Sequence, residues 1–426
     1  MKRLMFMEDR VILHADMNNC YASIEIHHHP QWRGFPLAVC GSQEDRHGIV
    51  LAKSQEAKRF GVKTGEPVGQ ALTKCPDLLI VPPHYEMYLD YSRRARALYA
   101  RYTDLVEPFG MDECWMDVTG SQKLFGNGRT IADDIRCRIK KELGITVSVG
   151  VSFNKTFAKL GSDLKKPDAV TEIPRDRFRQ ILDPLPVENM LGVGGSTRRK
   201  LCACGICTLG DLAGSDPHFL RKILGVSGIL LWHHANGRDA DPVHNVQYRA
   251  PIRSVGRGVT CRADLVDNAE VLRVLQVLCF SVSQRLREHG LEASGVQLSV
   301  RDCDLYTRQF QTLLALPTQS SLLLREAGMA LFTERYDWQK PVRALTIRAI
   351  HLRPLRTYRQ LGFLSAFSQR QKKEDLDAAL YALRERFGKH AISFASLFEE
   401  TKLPADRSEF EIPVRLFSES CLYEGS

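Results

Sequence analysis

The chain has 426 residues, 44% of them hydrophobic and 26% charged, with a formal net charge of +9. That is an ordinary globular balance, able to bury cores in roughly two to four domains. No run of about 18 or more apolar residues exists, which excludes a membrane-spanning helix. The opening residues are too few and too soon charged for a signal peptide. The 12 cysteines are scattered through a chain too large to need disulfide staples, so reduced thiols and a cytoplasmic location are expected.

Val11–Asp16 is an apolar run ending in an acid, which predicts a buried strand with Asp16 at its C-terminal end. Helical spacing follows over 21–26. His27, His28 and His29 precede Pro30 and read as a surface cap at the helix end rather than a metal site. Residues 30–80 are rich in Gly and Pro, with a short strand at 36–40 and a basic helix around 54–60, and look inserted. A helix is predicted over 85–102 and strands over 105–110 and 114–118, with Met111-Asp112-Glu113 between them. An amphipathic helix over 131–143 and a strand over 146–151 follow. With the insertion set aside, the order is βαββαβ, a ferredoxin-like pattern.

Residues 168–240 read as short helices. Two Gly turns, at Gly192-Val-Gly194 and at Gly205, resemble a helix-hairpin-helix, which sets backbone N–H groups against a phosphate. A plain helical subdomain with Gly caps is the alternative. Cys202, Cys204 and Cys207 lie in the same stretch, but no second Cys/His cluster stands at zinc-like spacing, so they read as structural. Residues 240–250 are polar and aperiodic, a linker. A strand near 255–261, a helix at 269–289, strands at 295–301 and 307–314, a helix at 320–336 and a strand at 343–350 then repeat the βαββαβ layout. A helix at 372–387 precedes a loose tail. Between 245 and 356, sixteen Lys and Arg stand against ten Asp and Glu. Such clustering is the footprint of phosphate contacts, with a basic solvated surface as the plainer reading.

Carboxylates converge at Asp16 and at Asp112-Glu113. In βαββαβ the first and third strands are the middle ones, so a strand end and the neighbouring hairpin meet on one face. Three acids there raise one another's pKa unless cations join them, and oxygen-rich sites of this kind suit Mg²⁺ or Mn²⁺. Lys58, Arg59, Lys155, Lys159, Lys165 and Lys166 are candidates for balancing a bound triphosphate. Asp117, one strand step on, reads as a structural hydrogen-bonding acid.

These residues together resemble the Y-family, or translesion, DNA polymerases. Asp16-Met-Asn-Asn-Cys-Tyr21 resembles the first motif, an acid followed five residues later by an aromatic. Phe109–Asp117 resembles the Ser-x-Asp-Glu-x-x-x-Asp motif, Gly150–Pro167 the third block, and Glu56–Gly65 the fingers segment. The resemblance, in family order over residues 10–350, implies an α+β chain. A ferredoxin-like βαββαβ palm would cover 1–25 and 80–167, with fingers inserted at 26–79. A helix-hairpin-helix thumb at 168–240, a linker at 241–252, a second βαββαβ unit as little finger at 253–354 and a C-terminal tail at 355–426 would follow.

The same resemblance implies low-fidelity, template-directed DNA synthesis across lesions, by nucleotidyl transfer from a dNTP to a primer 3′-hydroxyl. Asp16, Asp112 and Glu113 would bind two Mg²⁺ ions, with Mn²⁺ as a substitute and the Met17 carbonyl assisting. Tyr21 would be the steric gate against a ribonucleotide's 2′-hydroxyl. Gln55, Lys58 and Lys166 would grip the triphosphate. Gly192, Gly194, Arg253 and Arg257 would hold the backbone of primer-template DNA. Gln360, Leu361, Phe363 and Leu364 loosely resemble the peptide by which bacterial polymerases dock on the sliding clamp, with an apolar patch on the little finger as the alternative. A monomer is expected.

The sequence departs from the family pattern at four places. Asn18 stands for an acid common in the DNA polymerase IV branch, Gln55 for a Tyr, Lys58 for an Arg and Gly110 for a Ser. The Asn18 and Lys58 changes are closer to the UmuC-like bacterial branch, and a Lys gives a point charge where Arg gives a fork. Two other readings stay open: a catalytically weak accessory protein that binds clamp and DNA, and a nucleotidyltransferase that works without a nucleic-acid template.

Overall fold

The computed structural model describes residues 10–42, 46, 48–248, 250–355, 365–388, 391–397 and 401–404, with 365–369 described by backbone. The chain divides into two compact units that meet in sequence at residues 249 and 250, with 42–48 grouped in the second. No helix among the described residues is long and apolar enough to cross a membrane.

In the first unit, strand β1 (Ile12–Met17) is buried at all six positions, as a central strand covered on both faces must be. Helix α1 (Cys20–His28) follows and stops before Pro30. The inserted segment folds as its own sheet in the order β3-β2-β4, from β2 (Leu37–Cys40), β3 (Val50–Lys53) and β4 (Leu79–Val81). Helices α2 (Gln55–Arg59) and α3 (Val68–Lys74) join it over a small core of Val50, Ala57, Val68 and Ala71.

Helix α4 (Tyr85–Tyr99) leads to the hairpin of β5 (Val106–Phe109) and β6 (Glu113–Asp117), a short α5 (Gln122–Phe125), α6 (Gly128–Leu143), β7 (Val147–Ser152) and α7 (Lys155–Leu164). Asn127 caps α6 by accepting from Thr130 N at 2.9 Å, and Gly144 ends it at φ +71°.

The sheet order is β5-β6-β1-β7-β8, so β1 and β6 are neighbours, as the ferredoxin-like pattern predicts. The fifth strand, β8 (Val170–Glu172), corrects the sequence reading, which made 168–240 wholly helical. It pairs parallel with β7, and at three residues it is too short to show a period of two. Helix α7 presses onto this sheet at Gly150. A Cβ there would lie 1.9 Å from Ala158 O and 2.5 Å from Ser162 N.

Helices α8 (Phe178–Leu182), α9 (Gly195–Ala203), α10 (Leu209–Gly214), α11 (Pro217–Leu224) and α12 (Val226–Ala235) enclose a core around Leu201, Leu209, Leu212 and Leu220. The two Gly turns fall where they were predicted: Gly192 (φ +93°) and Gly194 precede α9, and Gly205 (φ +78°) follows it. The stretch read as a linker is anchored in its first half. Val243 is buried beside Ile12, Trp115 and Ala158, and His244 N donates to Glu107 Oε2 at 2.9 Å, while Asp239, just before the stretch, accepts at Oδ2 from Thr156 N at 3.0 Å.

The second unit has the predicted element order: β9 (Val255–Leu265), α13 (Asn268–Glu288), β10 (Leu291–Asp302), β11 (Thr307–Thr318), α14 (Ser321–Arg335) and β12 (Val342–Pro354). Its strand order, β11-β10-β12-β9, puts the second and fourth strands in the middle. The two units therefore share an element sequence but not a layout, which corrects the expectation of a common one. Helix α15 (Ser365–Phe387) begins seven residues before its predicted start. Asp377 secures it by accepting from Ser321 N at 2.7 Å and Ser321 Oγ at 2.6 Å. The tail is not loose throughout. Arg262 N donates to Lys402 O at 2.8 Å, and Leu403 is buried in this unit's core.

Candidate active site

The β1–β6 register pairs Asp16 directly with Glu113. Met17 N donates to Asp112 O at 3.0 Å, which ties the strand end to the hairpin turn. Helix α4 holds that turn from the other side, where Ser92 Oγ donates to Met111 O and accepts from Arg96 Nη2 at 2.6 Å. Gly110 lies at φ +79°, a conformation strained for a residue with a Cβ, so Gly suits the turn. The three predicted acids thus come together, across about a hundred residues of sequence.

Their electrostatics differ. Burial raises the Asp16 carboxyl to about 6 against the opposing Lys166 ammonium, with Glu113 and Asp112 adding to the rise. Burial and the neighbouring Glu113 also hold Asp112 above the usual carboxylate range. Glu113 goes the other way. Burial pushes it up, but hydrogen bonds from His14 and Lys159 more than offset this and leave it at about 2.

Lys166 Nζ lies 2.6 Å from Asp16 Oδ2 and 2.6 Å from Asp163 Oδ1. Lys159 Nζ is bonded to Glu113 Oε2. Of the other candidate cations, Lys155 instead pairs with Glu107 at 2.7 Å. Among the described residues, no three acid, His or Cys side chains are gathered in a shape that by itself holds an ion, and ammoniums stand on two of the three carboxylates. Two raised carboxyls in one cluster nevertheless favour a further positive charge, and their all-oxygen donor set fits a hard divalent cation.

His14 was not singled out as part of this site, and Lys159, expected to balance a triphosphate, is bonded to Glu113 instead. His14 is fully buried, with Nδ1 2.9 Å from Ser162 Oγ and Nε2 3.0 Å from Glu113 Oε2. Burial lowers its pKa, and the Ser162 hydroxyl donates to Lys159 O at 2.8 Å, so it has no second hydrogen to give Nδ1. The usable signal was position: His14 and Asp16 alternate along one strand and so share a face.

Tyr21, on the first turn of α1, stacks on Tyr88 with ring centroids 4.3 Å apart and planes 9° from parallel. Gln55 and Lys58 lie on α2, Gln55 half-buried and Lys58 exposed, outside the carboxylate cluster. Burial and Lys58 lower the ammonium of Lys53, a third cation site on the insertion that sequence reading passed over. Asp117 Oδ1 accepts from Thr119 N at 3.0 Å, the structural role expected of it. Gly194 caps α9 with open space where a Cβ would stand. In the second unit, Arg253 is exposed and Arg257 half-buried on β9. Gln360, Leu361, Phe363 and Leu364 lie outside the described residues.

Comparison with known proteins identifies the family. The model of the impB/mucB/samB family matches residues 15–163, and that of the family's C-terminal domain matches 252–363. The DNA polymerase IV of Acetivibrio thermocellus is 47% identical, over 92% of this chain and 99% of its own. DNA polymerase IV 1 of Bacillus subtilis is 38% identical, over 89% of this chain and 91% of its own. A Y-family DNA polymerase chimera of known structure superposes with a TM-score of 0.72 at 25% identity, covering 81% of this chain and 99% of its own. Asn18 and Lys58 therefore do not set the chain apart from relatives that carry the DNA polymerase IV name. The chain belongs to the impB/mucB/samB family, and with it to the Y-family DNA polymerases that carry out translesion synthesis.

Proposed function

We propose that this DNA-directed DNA polymerase transfers a nucleotidyl group from a dNTP to a primer 3′-hydroxyl at the cluster of Asp16, Asp112 and Glu113. The observation that carries this is the Asp16–Glu113 pair across β1 and β6, with Asp112 tied to Met17 and both Asp carboxyls held high. Family members use divalent metal ions. Here Asp16, Asp112, Glu113 and the Met17 carbonyl would hold two Mg²⁺, with Mn²⁺ as a substitute. Such ions lower the pKa of the attacking hydroxyl and stabilise the leaving pyrophosphate.

The protein's own groups orient the reactants. Lys166, now on Asp16, is placed to turn to the triphosphate when cations take over the carboxylate, with Gln55 and Lys58 on the insertion as its partners. Tyr21 closes the space beside the sugar C2′. His14 and Lys159 keep Glu113 ionised over the working pH range.

In this reading 1–25 with 80–167 is the palm, 26–79 the fingers, 168–240 the thumb and 253–354 the little finger. Gly192, Gly194, Arg253 and Arg257 hold the primer-template backbone without reading its sequence. Residues 360–364 would dock on a sliding clamp, and the enzyme would act as a cytoplasmic monomer. The deciding experiment is primer extension on an undamaged template and on one with an abasic site. Asp112→Ala is expected to abolish extension while DNA binding survives. Extension at the wild-type rate by that variant would sink the carboxylate assignment.

A further inference from the structure

Tyr21 does not stand alone. It shares one face of α1 with Glu25, one turn on. Both residues look onto the start of α4. There Tyr88, fully buried, lies flat against the Tyr21 ring, and Tyr85 meets the same ring edge-on at 6.1 Å and 85°. Among the described residues, the Tyr21 hydroxyl has only a weak contact, 4.0 Å to Met111 Sδ, so the stacked face is what fixes the ring.

Tyr88 is fixed in turn. Its hydroxyl donates to Glu25 Oε1, and His84 Nδ1 lies 2.8 Å from the same oxygen. Glu25 is fully buried, and its Oε2 has no hydrogen-bond partner among the described residues. A buried carboxylate that is only partly satisfied is costly to keep. A plain apolar contact would join α1 to α4 more cheaply. What this carboxylate adds is a single position for the Tyr88 ring.

We propose that Tyr88, locked by Glu25, is the platform that sets the position of the Tyr21 ring and thereby the strength of discrimination against ribonucleotides. This rests on the reading of Tyr21 as the steric gate. The 2′-hydroxyl adds one oxygen atom to the sugar, so a gate that slides by about an ångström stops excluding it. Stacking resists that slide, because the Tyr21 ring cannot move sideways without leaving the face of Tyr88. Glu25 and Tyr88 are positioning residues: they act on the nucleotide only through Tyr21.

The test is single-nucleotide incorporation by the full chain, with dCTP or rCTP opposite a template guanine in Mg²⁺, read as the ratio of the two kcat/KM values. The active fraction of each preparation cancels in that ratio, so partial misfolding does not mimic the effect. Tyr21→Ala is the control and is expected to collapse the ratio. Tyr88→Leu removes the platform and is expected to lower the ratio about tenfold, a change of the size a lost aromatic stack gives, with the fall carried by a rise in rCTP efficiency. Tyr88→Phe keeps the stacked ring and should hold the ratio within about threefold of the wild type. Glu25→Ala leaves both rings in place but releases the Tyr88 hydroxyl, and an intermediate fall is expected.

If Tyr88→Leu and Glu25→Ala keep the wild-type ratio while Tyr21→Ala collapses it, Glu25 and Tyr88 merely join two helices and the proposal is overturned. A fall that comes only from poorer dCTP use overturns it equally. A wild-type ratio in Tyr21→Ala would overturn the gate reading and, with it, the platform. Should Tyr88→Leu fail to fold, Glu25→Ala decides the question by the same ratio.

Discussion

Asp16 and Glu113 face each other across two strands, yet their carboxyls are pushed in opposite directions. Glu113 has His14 and Lys159 on the same oxygen, whereas Asp16 has a single ammonium and deeper burial. The consequence for stability has a definite sign. Asp16 titrates at about 6 in the fold against an ordinary value of 3.8, so between those values the folded protein binds more protons than the unfolded chain. Its contribution falls as pH rises through that window. At neutral pH it stands as a cost of about 2–3 kcal/mol in the metal-free protein. Asp16→Asn should therefore raise the Tm of protein kept in a chelator at pH 7.5, and the gain should shrink to about half near pH 5 and vanish only as the pH falls below the ordinary value of 3.8, while extension is lost. A lower Tm at both pH values would contradict this. Asn18, two residues on, shows why a departure from a family pattern need not signal a change of chemistry. Its amide donates to Ser148 Oγ at 2.9 Å and accepts from Thr146 Oγ1 at 3.0 Å and Asp168 N at 2.8 Å. An acid at that place could not supply the first of these bonds.

At the scale of elements, the site depends on how close α7 comes to the sheet. Lys159 and Ser162 lie on that helix, and both reach the acid cluster, Lys159 at Glu113 and Ser162 through His14. The approach is possible only because residue 150 lacks a Cβ, which would otherwise meet the α7 backbone at 1.9 Å. Backbone cannot yield as a side chain tip can. Gly150→Ala is therefore expected to destabilise the fold by at least about 2 kcal/mol in urea denaturation, and to depress extension further by drawing Lys159 from Glu113. A variant as stable as the parent would show that α7 can retreat without cost. The hairpin turn is the second element-level device. Ser92 and Arg96 of α4 clamp it, and Gly110 gives it a left-handed residue.

At the scale of the molecule, charge is spread unevenly over the two units. The first holds the acids, and the second carries most of the basic excess between 245 and 356. Backbone contacts, the role proposed for Arg253 and Arg257, bind duplex with little regard to sequence and weaken as salt releases counterions. Arg253→Ala and Arg257→Ala should each weaken DNA binding by a similar factor on unrelated sequences. Each should also reduce the slope of log affinity against log salt by about one. Titration by fluorescence anisotropy at several salt concentrations measures both. Loss confined to one DNA sequence would instead mean that the arginines read bases.

The sequence by itself determined the order of elements, the two βαββαβ patterns, the Gly turns and the three acids. These are local signals: an apolar run ending in Asp16, a Met-Asp-Glu between two strand-like runs, helical spacing from Tyr85 onward. Tertiary structure alone decided the strand order of the second unit, since a period of two tells which face a strand buries but not which neighbour it takes. It decided β8, whose three residues carry no period. It decided that His14, Lys159 and Lys166 converge on the acids, and that Glu25, Tyr88 and Tyr21 form one stack. Those groups lie tens of residues apart or more, and only the register of β1 on β6, the press of α7 on Gly150 and the packing of α1 on α4 bring them within reach.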